Sequence, residues 1–307
     1  MKKLFIVGCG NIGRRVLALA GAQGIATLAT ARSQERRAQC VALGATVVTA
    51  NLDDPGSLSA LPTAGTTVLF TAPPPGGGHT DPRMRNFLAA LATGDEPEKI
   101  VYLSTSGVYG DQGGKLVSED TPPNPQTARA KRRFDAETVV RAWGAKHRVP
   151  TVILRVTGIY GAEFTPLMRL QSDHPVLRPE EAPPTNRIHA DDLAQICLAA
   201  AERGEDGDIF NVSDGQPSTM TEYFTVLAEL FGFAPPRQVS LAEAQHEMNP
   251  TMLSYLSESR RLDNTRLCEK LGVTLKYPTL HSALPDLARE VARLLQKLES
   301  GVAQNKH

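Results

Sequence analysis

The first residues suited to chemistry are glycines. Gly8-Cys9-Gly10-Asn11-Ile12-Gly13 has the spacing G-x-G-x-x-G. In such a turn the first glycine permits a tight bend and the second lets backbone approach a pyrophosphate. The third lets a helix pack closely on the preceding strand. The helix that follows offers free N–H groups and the positive end of its dipole to an anion. Downstream, Thr30-Ala31-Arg32-Ser33 contains no acid before Glu35, and Arg36-Arg37 comes next. An acid at this place holds an adenosine 2′-hydroxyl, whereas Arg32, with Ser33 and Arg36 beside it, can bind a 2′-phosphate by charge-assisted bonds. NADP is therefore expected in preference to NAD; the competing reading of these arginines is a solvated helix start. Further on, Ser104-Thr105-Ser106 places three hydroxyls in a row before Gly107-Val108-Tyr109-Gly110, where they can satisfy a turn's own backbone groups.

These residues need elements to hold them. Leu4 to Val7 is a short apolar run, the pattern of a strand buried on both faces, and Ile12, Val16 and Leu19 then recur at helical spacing. Further strands are predicted over 25–31, 44–50, 67–71, 100–104 and 151–156. Between the last two, Ala136, Val139, Val140 and Trp143 keep the spacing of a core-facing helix. Strands alternating with helices predict an α/β fold with a doubly wound parallel sheet of the Rossmann type. Pro73-Pro74-Pro75-Gly76-Gly77-Gly78 excludes regular structure after the fourth strand. After Gly161 the alternation breaks. The expected organisation is a dinucleotide-binding domain over residues 1–161 and a smaller substrate lobe over most of 162–307, with 187–213 returning to the first.

Bulk properties narrow the class. Lys+Arg and Asp+Glu are both 33 in 307 residues, so formal net charge is zero, which argues against nucleic acid or an anionic membrane as partner. Low net charge also leaves a homodimer open. Cys9, Cys40, Cys197 and Cys268 are scattered without ligand spacing, so neither a metal site nor a disulfide framework is expected, and a cytoplasmic location fits best.

Five stretches in order resemble the extended and atypical short-chain dehydrogenase/reductases, the NAD(P)-dependent epimerase/dehydratase group. They are Gly8 to Gly13, Ser104 to Gly110, Leu154-Arg155-Val156-Thr157-Gly158-Ile159-Tyr160-Gly161, Arg187-Ile188-His189-Ala190-Asp191-Asp192-Leu193-Ala194, and Phe210-Asn211-Val212-Ser213-Asp214-Gly215. The resemblance implies that Thr105 hydrogen-bonds the reacting oxygen. It also implies that Asn51 and Leu52 border the adenine, that Ala72, Pro73 and Pro74 border the inner ribose, and that Val156 and Ile159 lie against the nicotinamide. The family carries a Tyr-x-x-x-Lys pair, whose phenol exchanges a proton while the lysine binds ribose and lowers the phenol's pKa. Here Lys131 takes the lysine's place and Thr127 the tyrosine's. A threonine cannot do a phenol's work near neutral pH, so Thr127 reads either as a remnant of the site or as a helix cap, and Lys131 as a ribose ligand or a surface lysine. Tyr109, Tyr160 and His79 are candidates to replace the phenol, and Arg129, Arg155, Arg169 and Arg178 are available for an anionic group. The expected function is an NADP-dependent oxidoreductase, epimerase or dehydratase acting on a small hydroxy or keto compound or a nucleotide-linked sugar. The alternative is a non-catalytic protein that binds NADP or senses its redox state.

Overall fold

A computed structural model of the chain describes residues 1–172 and 174–304. Seven strands form one parallel sheet: β1 (Lys3–Val7), β2 (Ala26–Thr30), β3 (Thr46–Val48), β4 (Thr67–Phe70), β5 (Lys99–Thr105), β6 (Thr151–Val156) and β7 (Ile209–Val212). Their spatial order is β7-β6-β5-β4-β1-β2-β3. The order reverses between β1 and β4, and the crevice above such a switch point is where open α/β sheets bind ligands.

The strands read as continuous apolar runs because both faces are covered. Leu4 and Ile6 face one side, packing with Val16, Leu17 and Ala20 of α1 (Asn11–Ala22), Cys40 of α2 (Gln34–Ala42) and Leu193, Ile196 and Cys197. Phe5 and Val7 face the other, against Met84 and Phe87 of α3 (Pro82–Ala89) and Ala136 and Val140 of α4 (Ala128–His147). Phe70 lies 5.3 Å from Phe87 and 5.9 Å from Tyr102, ring to ring, which fills the centre of that layer. The predicted strands are all present. The third is limited to Thr46–Val48, the three residues that pair with β2.

The second half of the chain divides between two cores. Strand β7 and helix α5 (Ala190–Arg203) belong to the sheet domain, and so does Thr265–Leu271, whose Leu267 and Leu271 join the same apolar layer as α1. The lobe has its own core, in which Tyr223, Phe224 and Leu227 of α6 (Met220–Phe231) meet Leu280, Ala283 and Leu287 of α7 (Leu280–Gln304). Between the two cores, Arg187–His189 pairs in parallel with Gly158–Tyr160. No helix of the described residues is long and apolar enough to cross a membrane.

Candidate active site

The glycine turn shows why each glycine stands where it does. Gly8 has φ +90°, and a Cβ there would sit 2.6 Å from the Cβ of Ala72 at the end of β4. A Cβ on Gly13 would come within 3.1 Å of Ile6, so this glycine lets α1 lie close on β1. A Cβ on Gly10 would meet nothing nearer than 3.9 Å, which leaves the middle of the turn open for a ligand. Gly10 also caps α1 without any side-chain hydrogen bond, so the helix N-terminus keeps its donors for an anion. Asn11 donates instead to Glu163 and accepts from Arg15 at 3.1 Å. Ile12 is buried in the core under the turn.

From Gly8, Cys9 and Gly10 a cleft of about 360 Å³ runs past Arg32, Ser33 and Arg36, then past Asn51 and Leu52, to Ala72 and Pro73. Ser33 caps α2 through Arg36 N–H at 3.2 Å, so the basic start of that helix is fixed at the cleft's edge. Burial pushes the Cys9 thiol pKa up, which keeps it neutral beside the turn. Two further residues complete this end. The Asp53 carboxylate accepts from Arg83 at 2.6 and 2.7 Å and from Arg32 at 3.3 Å, and the Arg83 hydrogen bonds hold it below the usual carboxylate range. Arg83 also donates to Pro73 O at 2.8 Å, tying α3 to the loop after β4. Open middle glycine, free helix N-terminus and arginines at the far edge together fit a dinucleotide phosphate.

Pro73 also lines a second cleft, of about 530 Å³. Pro74, Thr105 and Ile159 border it, whereas Val156 is buried at the end of β6. Thr105 ends β5 and accepts from Gly107 N–H at 3.2 Å, which keeps its hydroxyl at the cleft floor. Ser104 turns away from the cleft to Glu137, which forms a buried pair with Arg155 at 2.8 Å. Arg155 is thus committed to the interior.

Helix α4 carries the Tyr-x-x-x-Lys place, and there Thr127 takes the helix-cap reading that the sequence offered. Thr127 is the N-cap, accepting from Ala130 N–H at 3.4 Å and donating to Glu258 at 3.0 Å. The residues that line the cleft one turn apart are Arg129 and Arg133, with Arg132 beside them. The sheet-facing line of α4 runs through Arg133, Glu137, Val140 and Gly144; Lys131, two residues before Arg133, is rotated about 160° from that line. Thr127 and Lys131 are therefore not brought together in the cleft. Arg133 donates to Leu103 O at 2.7 Å, which anchors it at the end of β5.

The three candidates to replace the phenol also lie elsewhere. Tyr109 is fully buried, donates to Asn211 at 2.7 Å, and has its pKa pushed up to about 12 by burial. Tyr160 is buried edge-on against His189, and burial raises its pKa as well. His79 is exposed on the proline-glycine tract.

What reaches the cleft instead comes from residues 255–260 and from Arg187. Glu258, 6 % exposed, accepts from Arg129 at 3.3 Å and from Arg260 at 3.4 Å. Its Oε2 lies 3.6 Å, and the Thr105 hydroxyl 3.4 Å, from the one point where a Cβ on Gly107 would be. The guanidinium of Arg129 stacks on the Tyr255 ring at 4.1 Å. This segment is held in place by the loop after β5: Gln112 N–H donates to Ser259 O at 2.9 Å, Ser259 N–H to Asp111 at 2.9 Å, and Arg261–Leu262 pairs with Leu116–Val117. Asn186 adds bonds of 2.9 Å to Arg260 O and from Leu262 N–H. Glu258 and Arg260 lay outside every motif singled out in the sequence, because only long-range pairing brings them here. Arg187 opens a quoted motif, yet nothing local marked it as lining a cleft.

Comparison with known proteins places this geometry. The model of the NAD dependent epimerase/dehydratase family matches residues 4–213. A 4-hydroxy-2-methyl-3-oxo-4-farnesyl-3,4-dihydroquinoline-1-oxide ketoreductase from Stigmatella aurantiaca is 27% identical over 255 residues, covering 76% of this chain and 74% of that protein. A dTDP-D-glucose 4,6-dehydratase from Homo sapiens is 25% identical over 141 residues, 43% of this chain and only 40% of that enzyme. Among solved structures, a conserved protein of unknown function from Silicibacter pomeroyi DSS is 30% identical with a TM-score of 0.79, over 94% of this chain and 99% of that one. A UDP-glucose 4-epimerase from Thermotoga maritima, 16% identical over 95% of this chain and 99% of that one, shares the fold with a TM-score of 0.77.

Proposed function

Because the chain belongs to the NAD dependent epimerase/dehydratase family, we propose that it is an NADP-dependent oxidoreductase acting on a small hydroxy or keto compound. The observation that carries this reading is that the cleft at the glycine turn and the cleft at Thr105 share Pro73 in their walls. The dinucleotide supplies hydride exchange with the reacting carbon. The N-terminus of α1 binds its pyrophosphate, and Arg32, Ser33 and Arg36 bind the 2′-phosphate. Thr105 donates its hydroxyl hydrogen to the reacting oxygen. Arg129 and Arg133 add positive charge near that oxygen, but a guanidinium keeps its protons at any working pH. Proton exchange therefore falls to Glu258, whose Oε2 and the Thr105 hydroxyl flank the same space over Gly107. The scattered cysteines support a cytoplasmic location.

A second reading, an NADP-binding protein without turnover, is favoured by the two arginines on the cleft-facing turn of α4. A panel of carbonyl compounds assayed for NADPH oxidation separates the two. The enzyme reading expects at least one substrate, and expects Thr105→Val to reduce turnover far more than NADPH affinity. Absence of turnover across the panel, with tight binding that discriminates NADPH from NADP+, would select the second reading.

A further inference from the structure

Five arginines line the second cleft, Arg129, Arg132, Arg133, Arg187 and Arg260, against one carboxylate, Glu258. Two of the five are deeply buried: Arg187 is 6 % exposed and Arg260 9 %. Among the described residues, the Nε of each has no hydrogen-bond partner. Burying a charged guanidinium with a donor unpaired is costly, and native structures ordinarily satisfy such groups. Desolvation accordingly lowers the pKa of both. Arg187 is otherwise held by Thr219 O at 3.1 Å and by the Tyr223 ring at 3.9 Å, and Arg260 by Gly110 O at 2.8 Å. Among the described residues Arg187 has no carboxylate within ion-pair distance, Asp214 and Glu222 acting on it from farther off, and Arg260 shares Glu258 with Arg129. Positive charge thus dominates the lining of a space large enough for a small molecule: five guanidinium groups face it with one carboxylate, while Asp214 and Glu222 act on Arg187 and Asp111 on Arg260 from outside that lining.

The position of this charge relative to the reacting group narrows the ligand. Glu258 links the arginines to the space over Gly107 that the Thr105 hydroxyl also borders. A molecule whose hydroxyl or carbonyl oxygen meets Thr105 would therefore have its next few atoms among Arg129 and Arg260. We propose that the substrate of this cleft is a small hydroxy or keto acid, its anionic group, carboxylate or phosphate, held by Arg129 and Arg260 a few bonds from the reacting carbon, with Arg187 in the same lining. Planar guanidinium groups match the two oxygens of such an anion. The inference deepens the oxidoreductase reading and rests on it for the identity of the reacting group. The anion site itself is tested by binding alone.

The test is calorimetric titration of oxalate, inorganic phosphate and UDP into the full chain, with and without saturating NADP+. Oxalate or phosphate is expected to bind, and Arg129→Ala to weaken that binding at least about tenfold, with Arg129→Lys recovering part of the loss. Glu258→Gln is expected to tighten the same binding about threefold or more, because it removes the one competing carboxylate, while lowering turnover. Opposite signs on affinity and turnover would not follow from a merely misfolded cleft, and Arg129→Lys guards against loss of folding. The proposal is overturned if neither small anion binds below about 10 mM, or if Arg129→Ala leaves their affinity unchanged. It is also overturned if UDP binds more tightly than either by a route independent of Arg129. Oxalate or phosphate binding that depends on Arg129 in a protein that turns over no carbonyl would sink the oxidoreductase reading and leave the anion site standing.

Discussion

The two clefts that share Pro73 are built on different plans, the cofactor end at the glycine turn and the reactive end of the proposed reading at Thr105. The cofactor end takes its walls from the ends of consecutive strands β1 to β4, and its defining feature is backbone: a glycine with φ +90°, an open middle glycine and an uncapped helix. Its charges are partly balanced, with Asp53 holding Arg83 and Arg32. The reactive end draws on residues 105–107, 129–133, 157–159, 184–187 and 255–260, and its defining feature is side-chain charge of one sign. A site made of backbone tolerates little change in shape, whereas a site made of side chains can change its chemistry while the fold persists. On the proposed reading, Arg129 and Arg133 on the cleft-facing turn, where the family carries Tyr-x-x-x-Lys, are a change of the second kind.

The comparison can be broken or sharpened by experiment. The largest effect is expected at the reactive end, where Glu258→Gln should lower turnover about a hundredfold or more, the usual worth of a general acid–base group, and leave NADPH affinity within about twofold. An equal loss in NADPH binding, measured by fluorescence titration, would mean that the two ends are not separable. At the cofactor end, Gly8→Ala combines a strained φ with a 2.6 Å clash against Ala72, and should destabilise the fold by about 3 kcal/mol in urea unfolding. Retention of full stability would show that the turn is more pliant than its geometry implies.

A third prediction concerns the support under the reactive end. His189 caps α5 by accepting from Asp191 N–H at 3.2 Å, and burial depresses its pKa to about 4. A depressed folded-state pKa means that the unfolded chain binds the proton first, so this contribution is present above about pH 6.5 and is lost as pH falls toward 4. Up to about 3 kcal/mol is at stake across that window. Asp214, whose pKa burial raises to about 7, acts with the opposite sign, its folded-state proton being lost as pH rises. The His189 term is therefore read as the difference between wild type and His189→Asn, which keeps a cap acceptor without a titrating ring. Parallel pH dependence in the two proteins would remove His189 from the account. The smallest effect is expected from Arg32→Ala, which should reduce the preference for NADPH over NADH about tenfold by calorimetry. Tighter binding of NADH than NADPH by the wild type would overturn the cofactor preference outright.

How much of this was legible follows from where each residue gets its position. Gly8, Gly10, Arg32, Ser33, Arg36, Asn51, Leu52, Ala72 and Pro73 were all singled out in the sequence, and all line the first cleft, because each sits within a few residues of a strand end. Thr105, singled out from the resemblance, stands at the end of β5 and lines the second cleft. Thr127 and Lys131 show the limit of counting. Two residues of offset on a helix turn a side chain by roughly 200°, so the face that a spacing selects depends on where the helix starts, and the helix-cap reading of Thr127 is the one its place before that start gives. Tyr109 and Tyr160 were legible as phenols near motifs, but whether a phenol faces a cleft or the core depends on what packs over it.

The amino-acid sequence by itself determined the parallel sheet and the dinucleotide-binding turn, because strand periodicity and glycine geometry are properties of contiguous residues. Tertiary structure alone decided which charged groups face the second cleft. Glu258 and Arg260 arrive there through pairing with Leu116–Val117 and with Asp111, more than a hundred residues away in the chain. Such contacts are chosen by the whole packed fold, and no local pattern records them.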